Sequence, residues 1–295
     1  MGLIWNRVVT VQVADQKITL DDHDIEATVD EGSTSSSTKA NTAEITLWNI
    51  NDTFYAALKT GATIELCAGY KDGSGTIFYG IIQDVDRTRD GSDQKTVITV
   101  SDSSVKTRST DKIAMMYPKG STVADGFRQI IAAAGIAEGE IDVPDVIFQE
   151  DTSNTATPDD QIAFLVNFEN GTLMRDNPTK YKSAQDCTKF QVINNLAYFV
   201  QTDHCLAQVI LISNATGLLS IEKIKKNVAA VTGESSGNII SQGDYKVTSY
   251  LNYEIALNTV IKVESEDVTG SFRVGSYKHT ISKTDFTTEM TVIAV

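Results

Sequence analysis

Short runs in which apolar and polar residues alternate fill both ends of this chain and are missing from its middle. In residues 1–105, Val9, Val11 and Val13 alternate with polar neighbours. So do Ile45 and Leu47, then Ile64, Leu66 and Ala68, then Ile77, Tyr79 and Ile81, and finally Ile98 and Val100. A period of two over so few residues marks half-buried strands, whose side chains point alternately to core and solvent. Turn-forming stretches separate the runs: 30–37, Lys71-Asp72-Gly73-Ser74-Gly75 and Arg89-Asp90-Gly91-Ser92. Residues 217–295 return to the pattern, with candidate strands at 218–221, 247–251, 260–263, 272–274 and 290–295. Many short strands with regular turns lead to a barrel or a sandwich.

The middle has a helical texture. Val123, Phe127, Ile130, Ile131 and Ala134 fall on one helix face, Thr122 and Asp125 have capping-box-like spacing, and Gly135 is a stop. A second helix is expected from Ser183, with Asp186 three residues on and Phe190, Ile193, Ala197 and Val200 on one stripe. From Gln129 through Met174 there are nine acidic residues and no basic one. The stretch around Glu150 to Asp160 reads as a solvated loop, with a docking surface as the alternative. The expected fold class is α+β and mostly β. A first β-barrel occupies 1–105, an α/β connector with two helices and an acidic loop occupies 106–216, and a second β-barrel occupies 217–295.

The two β segments also resemble each other. Thr63-Ile64-Glu65-Leu66 aligns with Val260-Ile261-Lys262-Val263, Phe78-Tyr79-Gly80 with Phe272-Arg273-Val274, and Lys95–Val100 with Thr288–Ile293. The bland alternative is a rhythm common to any two β-meanders. If the repeat is real, two similar units in one chain can occupy equivalent positions in a ring, and three chains mimic six subunits.

Charge narrows the function. The chain has 295 residues, enough for two or three domains, with 39 acidic against 25 basic side chains and a net charge of −14. That balance is wrong for general nucleic-acid binding, which needs a basic footprint, and for anionic membrane surfaces. No apolar run approaches the roughly 20 residues of a membrane span, and Arg7 interrupts the apolar start before a signal peptide could form. No membrane insertion is expected, and production in a cytoplasm is. Cys67, Cys187 and Cys205 are an odd set without a CxxC spacing, unlike a disulfide framework.

Enzyme motifs such as GxSxG, HExxH, GxxxxGK[ST] and GxGxxG are absent. His23 lies in Asp21-Asp22-His23-Asp24, which reads as a polar turn in preference to a metal site, because adjacent residues of an extended strand point apart. Cys187, His204 and Cys205 invite a Cys/His nucleophile reading, but no orienting residue stands at a recognisable spacing and Cys187 fits the expected helix face. His279 reads as a barrel residue. Trp5 and Trp48 are too few for a carbohydrate platform. The expectation is no catalysis, no cofactor and no metal.

Four stretches in a fixed order carry a resemblance. Asn41-Thr42-Ala43-Glu44-Ile45-Thr46-Leu47-Trp48-Asn49-Ile50 is followed by Gly61, Ile64, Leu66, Ala68-Gly69-Tyr70 and Ile77-Phe78-Tyr79-Gly80-Ile81-Ile82. The helix from Val123 to Gly135 comes next, then Gly217-Leu218-Leu219-Ser220-Ile221-Glu222. Last come Ser249-Tyr250-Leu251-Asn252, Gly270-Ser271-Phe272-Arg273-Val274 and His279. This order resembles the baseplate and tail hub proteins of tailed bacteriophages and related contractile injection systems, the late control gene D-like superfamily. A Pro-Gly pair common in that family before the Val260 strand is replaced here by Ala256-Leu257-Asn258, and residues 140–215 match least.

The resemblance implies a non-enzymatic structural protein of the virion tail or baseplate, assembled in the bacterial host cytoplasm. It implies two tube-protein-like barrels per chain and a homotrimer forming a pseudo-sixfold ring. That ring joins a sixfold tail tube to a threefold spike. The implied partners are the tail tube protein, a spike or needle protein, the tape measure protein and baseplate wedge proteins, with DNA passing through without specific binding. On this reading Glu65, Asp84 and Asp86 are candidates to face the lumen, where carboxylates repel a passing polyanion. Solubility is the bland explanation of the same charge. The hairpins at 84–95 and 280–287 are candidate subunit contacts, through Arg87, Arg89, Asp90, Lys283 and Asp285. The alternative function is a receptor- or glycan-binding tail module, against which the low aromatic content of 7% speaks. Two barrels and a connector leave no room for a fused hydrolase domain.

Overall fold

The described residues of the first 102 build seven strands and one short helix: β1 (Arg7–Val13), β2 (Gln16–Thr19), β3 (Ile25–Gly32), β4 (Thr42–Trp48), α1 (Asp52–Ala57), β5 (Thr63–Tyr70), β6 (Gly73–Asp90) and β7 (Asp93–Ser101). The computed structural model describes residues 6–32, 41–102, 110–183, 187–201, 203–205, 209–224 and 244–295. Trp5 and Asp186 lie outside them. The seven strands are ordered β3-β4-β7-β6-β5-β1-β2 with antiparallel neighbours throughout. The alternation does what it predicts. Val9, Val11, Val13, Ile45, Leu47, Ile64, Leu66, Ile98 and Val100 are all buried on one face. In β6 the phase is different from that expected. A bulge opposite Leu66/Cys67 turns both Ile77 and Phe78 into the core and sends Tyr79 and Ile81 to the outer face.

The middle contains β8 (Ile113–Tyr117), α2 (Val123–Ala134), β9 (Ala137–Asp142), β10 (Thr152–Ala156), α3 (Pro158–Asp176), β11 (Thr188–Ile193) and β12 (Leu196–Gln201). The helix α2 is the one the sequence announces. Thr122 and Asp125 form a reciprocal capping box, and Gly135 closes the helix in the left-handed conformation at φ 68°. The second expected helix is not there. Residues 188–201 form an antiparallel hairpin instead, turned by Asn194 and Asn195 at φ 49° and 65°. Two consecutive left-handed residues are the signature of a two-residue hairpin turn, for which asparagine is well suited. A stripe at Phe190, Ile193, Ala197 and Val200 has helical spacing by coincidence. Conversely, the stretch from Glu150 to Asp160, expected to be a solvated loop, holds β10 and the first turn of α3. Its start is well signalled, with Thr157 as N-cap and Pro158 in the first turn. Its inner face hides it, because Gln161, Glu169 and Asn170 are buried there and interrupt the apolar stripe.

The last segment contains β13 (Val209–Ser213), β14 (Leu218–Lys223), β15 (Tyr245–Tyr250), β16 (Val260–Glu264), β17 (Thr269–Ile281) and β18 (Phe286–Ala294). The strand β13 pairs in parallel with β16, and Ile210 and Ile212 join the core of this segment. The C-terminal half of β17 pairs with β3, so both β segments belong to one sheet of order β14-β15-β18-β17-β3-β4-β7-β6-β5-β1-β2, with β16 and β13 branching from β17. Among the described residues this sheet does not close on itself, unlike the pair of closed barrels expected.

The repeat is visible in the register. The order β3-β4-β7-β6-β5 corresponds to β14-β15-β18-β17-β16. Pairings in β6–β7 map onto those in β17–β18, with one extra residue in each middle strand: Gln83 between Ile82 and Asp84, and Gly275 between Val274 and Ser276. The hydrogen bonds at the branch point also match. Gly61 N and Ala62 O bond Ile82, at 2.8 and 2.9 Å, as Asn258 N and Thr259 O bond Val274, at 3.0 and 2.9 Å. Gly61 and Asn258 both have positive φ, 87° and 65°. The sequence alignment of Thr63–Leu66 with Val260–Val263 is therefore correct. That of the middle strand is off by two residues and that of the closing strand by one.

The β11–β12 hairpin ties the three segments together. Asn194 Oδ1 accepts the Tyr79 N–H at 3.0 Å, Asn41 Nδ2 donates to Val192 O at 3.2 Å, and Lys189 Nζ donates to Asn258 Oδ1 at 2.9 Å. Replacing Asn194 by alanine places a Cβ-bearing residue with no local hydrogen bond at φ 49° and removes the acceptor of a part-buried N–H. A loss of about 2–3 kcal/mol is expected in denaturant unfolding. A loss below about 0.5 kcal/mol would mean that the turn does not matter to the fold.

Candidate functional site

The joint between the two β units is polar inside. Along β3, Ile25, Ala27 and Val29 point into the core, and the same parity carries Glu31 inward. Along β17, Tyr277, His279 and Ile281 share that face. Glu31 sits opposite Tyr277 in the register, and the Tyr277 hydroxyl donates to Glu31 Oε2. His279 Nδ1 lies 2.8 Å from Thr288 Oγ1 on β18. Glu31 and His279 are 0% and 1% exposed, and Glu31 Oε1 and His279 Nε2 have no partner among the described residues. Burial pushes the Glu31 carboxyl up to about 8, against the opposing hydrogen bond from Tyr277, and burial pushes the His279 imidazole down to about 3. The Tyr277 hydroxyl is held well above its ordinary range, by burial first and then by Glu31. At neutral pH the joint therefore holds a protonated carboxyl and a neutral imidazole. Sequence reading missed Glu31, although alternation along Ile25–Glu31 was the signal that placed it inward.

The opposite face of the sheet carries the carboxylates expected from sequence. Glu65 on β5 pairs with Tyr79, and Asp84 and Asp86 on β6 pair with Thr99 and Val97. Glu65, Asp84 and Asp86 thus point to the same side, away from the core. Glu44 on β4 and Glu26 and Asp30 on β3 continue that side across the sheet. Glu65 is half-buried and accepts a hydrogen bond from Thr76 Oγ1, whereas Asp84 and Asp86 are exposed.

The two expected contact hairpins differ. Arg87 is half-buried and turned inward over the Tyr55 ring at 4.1 Å, with Asp52 at 3.2 Å. It also donates to Gln94 Oε1 and Ile50 O, so it is engaged within its own subunit. Arg89 and Asp90 are exposed near the tip of the β6–β7 hairpin. In the other hairpin, Lys283 meets Asp24 at 2.9 Å, and Arg7 bonds the Ser282 and Lys283 carbonyls while lying over Phe286. Asp285 caps its own turn through Ser282 and Thr284. This second hairpin packs on the first β unit of its own chain.

Elsewhere, His204 has Asp142 Oδ2 at 3.1 Å from Nδ1 and Glu140 Oε2 at 3.2 Å from Nε2. These are the donor types that could hold a metal ion, gathered from β9 and from a loop 62 residues on. Both ring nitrogens face carboxylates. Cys205 Sγ is turned to Asp203 O, and Cys187 is buried with its Sγ directed to Ser183 O at 3.3 Å. His23 lies in a turn.

No protein-family model and no curated protein sequence matches the chain. Solved structures do. A tail protein from Neisseria meningitidis MC58 aligns over 98% of this chain and 96% of its own, with TM-score 0.64 and 10% identity. The 43 kDa tail protein of prophage MuSo2 from Shewanella oneidensis aligns over 98% of each, with TM-score 0.62 and 9% identity. An E. coli component of the type VI secretion system, described as similar to T4 tail proteins gp27 and gp5, covers 97% of this chain and 76% of its own at TM-score 0.59 and 10% identity. The chain has the fold of phage tail and type VI secretion tail proteins, as the sequence resemblance implied.

The buried joint predicts a pH profile. Glu31 is raised from 4.5 to about 8, so its stabilisation is complete below 4.5 and is lost as pH rises through about 8. His279 is lowered from 6.5 to about 3, so its stabilisation is present above 6.5 and is lost as pH falls toward 3. These two groups together favour the window between 4.5 and 6.5. Glu31→Gln keeps the shape and removes the alkaline loss. Its melting temperature relative to the native protein should climb by several degrees between pH 5 and pH 8.5. Parallel melting curves for the two proteins over that range would contradict the assignment.

Proposed function

We propose that the protein is a structural hub of a phage-type tail or baseplate. Three chains form a ring whose six β units, two per chain, meet a sixfold tube on one side and a threefold spike on the other. The observation that carries this reading is the register-matched repeat: two units of the same strand order lie side by side in one sheet, as neighbouring subunits of a tube would. Each unit is a tube-protein-like half-barrel, and neighbours in the ring complete it. The middle segment, with its helices and the β11–β12 hairpin, is the connector. The likeness to tail and type VI secretion structures over nearly the whole chain supports the same role.

On this proposal the common face of Glu65, Asp84 and Asp86 lines the conduit and keeps passing DNA from adhering. Arg89 and Asp90 belong to the hairpin that meets a neighbour or a partner. The partners are the tube, spike, tape measure and wedge proteins, in a virion tail. A non-catalytic role agrees with the structural character of the neighbours by fold.

Light scattering across a concentration range tests the ring. The expected mass is about 96 kDa, three times the 32.1 kDa chain. A stable dimer cannot close a threefold ring and would contradict the proposal. Substituting lysine for Glu65, Asp84 and Asp86 together is expected to leave the assembled mass unchanged and to make the ring retain DNA at low salt, with retention falling steeply as salt rises. Equal DNA retention by the native and substituted rings would place these residues away from the conduit.

A further inference from the structure

The repeat leaves one seat filled and its twin empty. On β17, residues beyond the Gly275 bulge have β18 on one side and β3 on the other, with His279 opposite Val29, Thr280 opposite Thr28 and Ile281 opposite Ala27. On β6, residues beyond the Gln83 bulge have β7 on one side, and no strand among the described residues lies on the other, because the pairing with β5 ends at Ile81. The strand equivalent to β3 is β14, which among the described residues pairs with β15 alone and ends the sheet. An uncovered strand edge of this kind is a template for another chain.

Building on the hub reading, we propose that β14 of each chain adds to the open edge of β6 in a second copy, repeating between chains the pairing that β3 makes with β17 within one. The register follows from the repeat. Through β4 and β15, Ala27 corresponds to Ile221, Thr28 to Glu222 and Val29 to Lys223. Through β7 and β18, His279 corresponds to Arg87, Thr280 to Thr88 and Ile281 to Arg89. Between chains, Lys223 therefore faces Arg87, whose charge Asp52 already offsets, Glu222 faces Thr88, and Ile221 faces Arg89.

The backbone agrees with this register. Ile224 N bonds Asp244 O toward β15, so by alternation Ile221 and Lys223 present their peptide groups outward. Ile82 directs its peptide groups toward the β5 side, and past the bulge the alternation turns those of Arg87 and Arg89 to the same open edge. The groups that must pair are those that, among the described residues, have no strand beside them. Burial agrees too: Tyr277 and His279, covered by β3, are 4% and 1% exposed, whereas their equivalents Val85 and Arg87 are half-buried. A pairing that runs head to tail from each unit to the next needs six equivalent joints. Three lie inside chains and three between them, which closes a ring of three chains.

Paired cysteines test the register. Thr88 and Glu222 fall at a non-hydrogen-bonded position, where side chains are close enough for a disulfide. A protein carrying Thr88→Cys and Glu222→Cys should give, under mild oxidation, a ladder of covalent species ending at three chains. Thr88→Cys with Lys223→Cys, one residue off and on the opposite face, should give none, and neither should any single substitution. Lys223→Pro, which removes an outward N–H and leaves the bonds to β15, should reduce the mass in light scattering from trimer to monomer at unchanged circular dichroism. A trimer that fails to cross-link at 88/222, or that cross-links equally at 88/223, overturns this pairing and leaves the hub reading standing. A monomer at all concentrations with no cross-link overturns both.

Discussion

The pairing of β3 with the second half of β17 is the contact on which the molecule depends. Without it there are two half-sheets joined by a tether; with it there is one surface. The contact is an ordinary antiparallel ladder on its outer face, with Asp30 beside Lys278 and Thr28 beside Thr280. Its inner face is unusual, since Glu31, Tyr277 and His279 occupy positions that alternation reserves for apolar side chains. A buried polar group is tolerated only when its partners are present, and a slip of β3 by one residue would turn Glu31 outward and leave the buried Tyr277 hydroxyl, held inward by the β17–β18 pairing, without its acceptor. Polar residues at the joint therefore penalise the wrong register more than apolar ones would.

The rest of the chain is arranged to hold that joint. Phe286 and Ile281 from the last hairpin complete the core of the first unit, with Tyr70 edge-on to Phe286 at 5.3 Å. Tyr253 covers the β5–β6 turn so closely that any side chain at Gly75 would meet its ring. From the other side the β11–β12 hairpin reaches both units. Its Lys189, half-buried beside Arg273, is pushed down to about 8 by desolvation first and by the neighbouring guanidinium second. A cation kept there, with Asn258 as its acceptor, marks a contact retained for where it holds the hairpin, since it adds little to stability.

What was legible in the sequence was local. Strands with one buried face announced themselves by alternation, as in Val9–Val13 and Ile64–Ala68, and α2 announced itself by its caps. The failures have physical causes. Residues 190–200 carry a stripe that fits a helix, and only the Asn194-Asn195 pair betrays a hairpin. The helix α3 hides behind Gln161, Glu169 and Asn170, whose burial depends on partners distant in sequence, such as Tyr117 and Thr188. The joint was not legible: Glu31 falls in a stretch read as a turn although β3 runs through it, and nothing local says that β3 and β17 meet 246 residues apart. The carboxylates Glu65, Asp84 and Asp86, named from the sequence as candidates to face a lumen, share one outer face only once the extra residue Gln83 in β6 is known, and nothing in the local pattern announces that bulge.

In the proposed ring, two units of matching register in one sheet would make a threefold object look sixfold, and that is the centre of the account. Imaging of the assembled protein, viewed down its axis without imposed symmetry, tests it most directly. The account predicts a closed ring of true threefold symmetry with six nearly equal β densities around a central channel, and with the Glu65, Asp84 and Asp86 face lining it. Three lobes with the two units of each chain at different radii, or with that face on the outer rim, would contradict it.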